Sequence, residues 1–211
     1  MKLNDLNEQT LKLLYDLKQT HPHTFRHSVN VSKYARFLGE KIGLDTEDIE
    51  SLKVTGLLHD IGKLKIPRSI LNKPGKLTDE EYREMKRHSE YSIELLTQAG
   101  FTNEELLKVI KSHHERLDGR GYPDGLTKGQ IPFLSKIISI ADSYDAMNQK
   151  RCYRDRQELD FIRNQFISGE GTQFDSRLTS VFLSFLDEEY IISQALEQKG
   201  KYVDILIGDE R

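Results

Sequence analysis

A chain of 211 residues with 36% hydrophobic and 31% charged residues is long enough to bury a sizeable core as one domain, with or without an appendage. A formal net charge of -3 gives no argument for duplex nucleic acid as a partner, since neutralising a run of phosphates needs a basic face, and no such partner is expected. Small anionic nucleotides stay open, because a metal centre and a few arginines can supply positive potential locally. The lone Cys152 excludes an internal disulfide, and no apolar run approaches the length of a membrane span. The N-terminal stretch MKLNDLNEQTLKLLYDLK lacks the continuous apolar core of a signal peptide, so the expectation is a cytoplasmic protein with no membrane.

Apolar periodicity predicts a first helix from Leu3 to about Lys18, with Leu6, Leu13, Leu14 and Leu17 on one side. A second starts near Thr20 or Thr24 and carries Val29, Val31, Ala35, Leu38 and Ile42 before Gly43 stops it. The third runs from about Thr46 to the pair His59-Asp60, and a short segment follows Pro67, a residue suited to a first helical turn. Thr78, three residues before Glu81, reads as a capping box for one helix that carries His88 and ends near Gly100. The next opens at Thr102 or Asn103 and ends at His113-His114. The segment from Glu115 to Pro132 holds Gly119, Gly121, Gly125 and Gly129 with two prolines, and reads as a long ordered loop or a lid. Helices are then expected over Phe133 to Asn148, Arg156 to Ile167 and from Asp175 onward, with a polar tail helix after Glu189. Tyr202 to Ile207 is a short candidate strand. The fold class read from this pattern is all-α.

The chemistry concentrates in histidines and aspartates. His59-Asp60 and His113-His114 stand at the C-terminal ends of apolar helices, where several polar groups are tolerable in a core only with a partner or an ion. Adjacent residues cannot face one way in mid-helix, but at a helix end both can turn toward a shared centre. His27, His88 and Asp142 complete an all-nitrogen and oxygen donor set, which suits hard or borderline divalent metals rather than a sulfur site. Asp142 ends the apolar run KIISIAD, and Asp145 reads as a supporting residue or an ion-pair partner. His23 lies four residues before His27 on the same helical face, either as an extra ligand or exposed. Lys63 reads as a phosphate contact or a solvated charge. Arg151 and Arg154, flanking Cys152-Tyr153, read as a surface cluster or as a clamp for phosphate or a guanine edge. Tyr122, between Gly121 and Pro123, is placed to stack on a base.

HTFRHSVNVSKYA, LLHDIGKLKIPRSILNKPGKLTDEE, HHERLDGRGYPDGL, IPFLSKIISIADSYDAM and GTQFDSRLTSVF follow one another over roughly residues 20 to 186. In this order they resemble the HD-GYP family, helical metal-dependent phosphodiesterases that open cyclic di-GMP. The resemblance implies an HD-domain helical bundle, with residues 20–187 as the catalytic domain, an N-terminal helix over 1–19 packed on it and a tail helix over 188–211. It implies His27, His59, Asp60, His88, His113, His114 and Asp142 as ligands of two divalent metals, iron or manganese, with Asp60 and a hydroxide bridging them. Lys63 is implied beside metals and phosphate, and Tyr122, Arg151 and Arg154 beside the nucleotide. His23 stands where three-metal members carry a glutamate, so a third metal stays open. The expected reaction is hydrolysis of cyclic di-GMP to pGpG, with GMP as a further product. The rivals are hydrolysis of 3',3'-cyclic GMP-AMP or another nucleotide, and a signalling module that binds without cutting. The first helix begins almost at the N-terminus, so regulation is expected through a homodimer, a separate regulatory partner or expression.

Overall fold

The structure, a computed structural model, describes residues 2–148 and 159–186. Arg151, Cys152 and Arg154, the tail expected over 188–211 and the candidate strand from Tyr202 to Ile207 lie outside these residues. Among the described residues the fold is all-α; β pairing is confined to isolated bridges between Asp118 and Thr127 and between Glu170 and Phe174. No helix among them is long and apolar enough to cross a membrane.

Asn7 starts α1 (Glu8–Thr20) by accepting from the Thr10 backbone N–H, which satisfies one of the orphan donors of a first turn. This cap separates the helix from a 3₁₀ turn at Leu3–Asp5, so the single helix expected from Leu3 begins later than its apolar spacing suggests. α2 (Pro22–Lys41) follows with proline in its first turn, and α3 (Thr46–Leu58) is capped by Asp45 on the Asp48 N–H. α3 is the central element: Leu52 joins one apolar cluster, while Val54 and Leu58 join the other. A helix buried on both sides ends inside the molecule, so the residues just beyond it are buried as well. The 3₁₀ turn Ile61–Lys65 continues the chain, followed by the short α4 (Arg68–Leu71).

The capping box at Thr78 and Glu81 forms as expected, and opens α5 (Asp79–Lys86). One helix from here to Gly100 was expected; instead the chain breaks at Arg87, and α6 (His88–Gln98) begins. The Met85 carbonyl accepts from the His88 ring, so the break places an imidazole where an uninterrupted helix would keep its ladder. α7 (Glu104–Lys111) starts on Asn103, α8 is Phe133–Asn148, α9 is Leu159–Gly169, and residues 176–186 are helical after Asp175.

Two apolar clusters hold these elements. One joins Val31, Ala35 and Leu38 of α2 to Ile137, Ile138 and Tyr144 of α8, Phe166 of α9 and Phe182 of the 176–186 helix. The other joins Leu14 and Leu17 of α1 to Leu58, Ile61, Leu96 of α6 and Ile110 of α7. Gly62 lets the 3₁₀ turn lie against α6: a Cβ there would sit 2.0 Å from the His88 carbonyl oxygen and 2.5 Å from the Ser92 nitrogen. The Ser92 hydroxyl accepts from Gly62 N–H and donates to the His59 carbonyl, tying both ends of the His59–Gly62 segment to α6.

Candidate metal centre

A helix leaves its last carbonyls without intrahelical donors, and three histidines of this chain take up such carbonyls by one device. His59 Nδ1 donates to the Gly56 carbonyl (2.8 Å), His88 Nδ1 to Met85 (2.7 Å) and His113 Nδ1 to Ile110 (2.6 Å), each three residues upstream. A carbonyl can only accept, so each neutral ring carries its proton on Nδ1 and turns the Nε2 lone pair inward. The C-terminal ends of α3, α5 and α7 converge here, and their partial negative charge favours cations.

His27 and Asp142 reach the same point from the sides of α2 and α8. His27 Nε2 lies 2.8 Å from Asp142 Oδ1 and 3.7 Å from Asp60 Oδ2, while its Nδ1 donates to Asp145 Oδ2 at 2.6 Å. Asn30 donates to the other Asp145 oxygen at 2.9 Å, so Asp145, an open choice from sequence, holds the His27 ring in place. His114 Nδ1 lies 3.7 Å from Asp142 Oδ2. Lys63 donates to Asp60 Oδ2 at 2.6 Å.

Three groups result whose ligand atoms all lie within 4.8 Å of one another: His88, His113 and His114; His27, His59 and Asp142; His59, Asp60 and His113. Every histidine and aspartate expected from sequence as a ligand therefore stands in one of three contiguous sets. His23 does not: it is exposed on the first turn of α2 and belongs to none of these groups.

The electrostatics follow from burial and neighbours. Burial pushes His88 down to about 3, His114 down to about 4 and His113 well below the usual imidazole range. Burial acts the same way on His27, but hydrogen bonds to Asp142 and Asp145 and the charges of Asp142 and Asp60 outweigh it and raise the ring to about 9. Burial would raise Asp60, yet the charges of Lys63, His59 and His88 hold its carboxyl well below the usual carboxylate range. Asp142 is likewise held low against its burial by His27.

The donor set fits divalent cations on a direct test. The Nε2 atoms of His88 and His113 face each other 3.3 Å apart, and with both protons committed at Nδ1 this is a meeting of two lone pairs. His59 Nε2 and Asp60 Oδ1 are buried without a hydrogen-bond partner. Buried acceptors left this way are costly, and a cation between them is the group that satisfies them together.

Tyr122 packs on His114 with ring centroids 4.7 Å apart, and both line a cavity of about 310 Å³ together with Tyr82, Arg116 and Arg120. The segment expected as a loop or lid is an ordered loop. Its anchor is Glu115, which sequence reasoning passed over: buried at 3% exposure, it accepts the backbone N–H groups of Asp124, Gly125 and Leu126. Its signal was there to find, as a carboxylate directly before a glycine-rich loop whose amides need acceptors. Asn30, one turn after His27, was also missed, and so was Tyr82, whose place at the cavity depends on the break at Arg87.

Comparison with known proteins agrees with this geometry. The HD domain family model matches residues 12–178. The chain is 35% identical over 200 residues to the 3'3'-cGAMP-specific phosphodiesterase 2 of Vibrio cholerae, covering 91% of this chain and 38% of that protein. It is 38% identical over 155 residues to a cyclic di-GMP phosphodiesterase response regulator of Xanthomonas campestris, covering 72% of this chain and 41% of that one. The chain thus spans about two fifths of the length of these curated relatives. Among solved structures, an HDG"Y"P protein from Bdellovibrio bacteriovorus shares the fold with a TM-score of 0.65 at 21% identity, over 86% of this chain and 58% of that one. With its helices ending on a shared histidine and aspartate centre, the chain belongs to the HD domain family and, through HHERLDGRGYP, to its HD-GYP branch.

Proposed function

We propose that the protein is a metal-dependent phosphodiesterase that opens cyclic dinucleotides, with cyclic di-GMP as substrate and pGpG as product. The observation that carries this reading is the convergence of His59, His88 and His113, each locked with its Nε2 lone pair inward beside Asp60. His27, His59, Asp60 and Asp142 would hold one divalent cation, and Asp60, His88, His113 and His114 a second, with Asp60 shared. Iron or manganese suits a donor set of imidazole and carboxylate without sulfur. When bound, such a pair would lower the pKa of a coordinated water toward neutrality and offset charge on phosphoryl oxygens.

The chain's own residues supply orientation and charge. Asp145 and Asn30 fix the His27 ring, a support that strengthens ligand affinity. Lys63, 2.6 Å from Asp60, adds positive charge beside the phosphate as the transition state gains negative charge. Tyr122 offers a ring face to a base, and Arg151 and Arg154 are assigned to substrate capture. A second reading, hydrolysis of 3',3'-cyclic GMP-AMP, is favoured by the specificity of the Vibrio cholerae relative. The intact donor set argues against a module that binds without cutting.

Anaerobic purification with metal analysis, followed by chromatography of products from each dinucleotide with iron or manganese, tests the proposal. The expected result is pGpG from cyclic di-GMP at about two metals per chain, with a third metal pointing to His23. Full metal occupancy with no product from either substrate would overturn it.

A further inference from the structure

The cavity beside the metal centre contains one guanidinium that the fold itself does not use. Arg116 is committed: Nε and Nη2 donate to the Asp118 carboxylate and Nη1 donates to Gln173 Oε1. Arg120 is different. It is exposed at the cavity wall, and among the described residues its side chain makes no ion-pair contact within 4 Å, its charge reaching the Asp118 carboxylate only at longer range. Its backbone is nevertheless fixed, because its N–H donates to Asp118 Oδ1 at 3.1 Å. Gly121 then packs on backbone so closely that a Cβ would lie 2.4 Å from the Arg116 nitrogen and 2.5 Å from the Glu115 Cα. The point from which Arg120 and Tyr122 leave the loop is therefore held, while the Arg120 head group remains available.

The opposite wall is aromatic. Tyr82 is 51% exposed, so its ring is open to a ligand in the cavity. Lys86, one turn along α5, sets its ammonium 5.1 Å from the Tyr82 ring centroid and 5.8 Å from that of Tyr122, tying the two walls together. A volume of about 310 Å³ is at the small end for a ligand site, so it suits part of a dinucleotide rather than the whole.

We propose that this cavity seats one purine base against Tyr82 and Tyr122, and that Arg120 selects guanine there. The inference rests on the cyclic-dinucleotide reading above and adds the residue that determines base preference. A guanidinium only donates, and guanine presents two acceptors, O6 and N7, to such a fork. Adenine presents one acceptor and the N6 amino donor, which faces a guanidinium donor to donor. One guanine seat admits cyclic di-GMP and 3',3'-cyclic GMP-AMP alike and disfavours cyclic di-AMP.

The test compares the metal-loaded wild type with Arg120→Ala and Arg120→Gln on these three dinucleotides and on bis(p-nitrophenyl) phosphate, a diester without a base. Arg120 is exposed, so both variants are expected to melt with the parent. Wild type should prefer the two guanine-containing substrates. R120A should lower kcat/KM for cyclic di-GMP about tenfold, mainly through KM, with little change for cyclic di-AMP or the base-free ester. R120Q should shift preference further toward cyclic di-AMP, since an amide can pair with adenine N6 and N7. An equal loss on all three dinucleotides would assign Arg120 to a phosphate and overturn the inference, as would unchanged discrimination. Wild type that cleaves only the base-free ester defeats the substrate reading itself, and the inference with it.

Discussion

The metal centre and the cavity beside it are built on opposite plans. His59, His88 and His113 are 0–1% exposed, and each is pinned by a carbonyl three residues upstream. Tyr82 is 51% exposed, and Arg120 is anchored through its backbone alone. Reactive geometry is thus a property of where helices end, and it cannot drift without moving α3, α5 or α7. Base recognition, as proposed, would hang on a loop and one helix face, where side chains can change without disturbing the core.

Removing Asp60 is the strongest way to break this contrast. Its carboxylate lies within 3.7 Å of His27, His59, His88 and Lys63, so Asp60→Ala takes a negative charge from the middle of a buried cluster. Activity is expected to fall to background, with at least one metal per chain lost on elemental analysis. Full metal content and turnover in this variant would show that Asp60 is not shared between cations.

Acid should expose the same buried plan in the metal-free chain. His88 and His114, held to about 3 and about 4, take up protons on unfolding before they do so in the native state. The unfolded chain binds more protons below about pH 6.5, so stability falls as pH drops from there toward 4. His27, raised to about 9, acts in the opposite sense. Its contribution is complete below about pH 6.5 and is lost as pH climbs through 9. Melting temperature in chelator, followed from pH 4 to 10, should therefore peak near neutrality. A flat acid limb would mean that these rings are not held neutral in the core.

Between core and wall stands Glu115. Its Oε1 accepts from Asp124 N (2.7 Å) and Gly125 N (3.1 Å), and its Oε2 from Leu126 N (2.9 Å). Glu115→Gln sets an amide donor against at least one of these N–H groups, a cost of about 1–3 kcal/mol and several degrees of melting temperature. Metal content should hold, while KM for a dinucleotide rises because the Tyr122 end of the loop loosens. Loss of metal instead would make the loop part of the centre rather than of the wall.

Much of this contrast could be read before any coordinates. Histidine and aspartate pairs at the ends of apolar helices pointed to a buried polar centre, and the start signals read at Thr78 and Asn103 marked real helix starts. The ligand candidates that proved to cluster were those with apolar neighbours at helical period. His23 shares the helical face of His27 but lies in the first turn of α2, where the chain is exposed, and spacing alone carries no burial. The break at Arg87 was not legible, because no proline or glycine marks it; its cause is a tertiary demand on the His88 ring. The roles of Asn30 and Tyr82 were hidden for a similar reason, since Asp145 and Tyr122 come from distant parts of the chain, whereas Glu115 stands directly before the loop whose amides it accepts.

The weakest expected effect tests the wall alone. Tyr82 belongs to neither apolar cluster, and its ring meets the Lys86 ammonium. Tyr82→Ala should change stability by no more than about 0.5 kcal/mol, as for a surface position. If a base stacks on this ring, its loss costs at least about 1 kcal/mol of binding, which is roughly a fivefold rise in KM. kcat should be nearly unchanged, because the ring makes no contact with the histidines, and hydrolysis of bis(p-nitrophenyl) phosphate should be untouched. Lys86 loses one of its two aromatic faces in this variant, so Tyr82→Phe, which keeps the ring, should restore the parent KM. A KM that stays high in the phenylalanine variant would assign Tyr82 to a hydroxyl contact rather than a stacking one, and a KM unchanged in the alanine variant would place the base elsewhere on the wall.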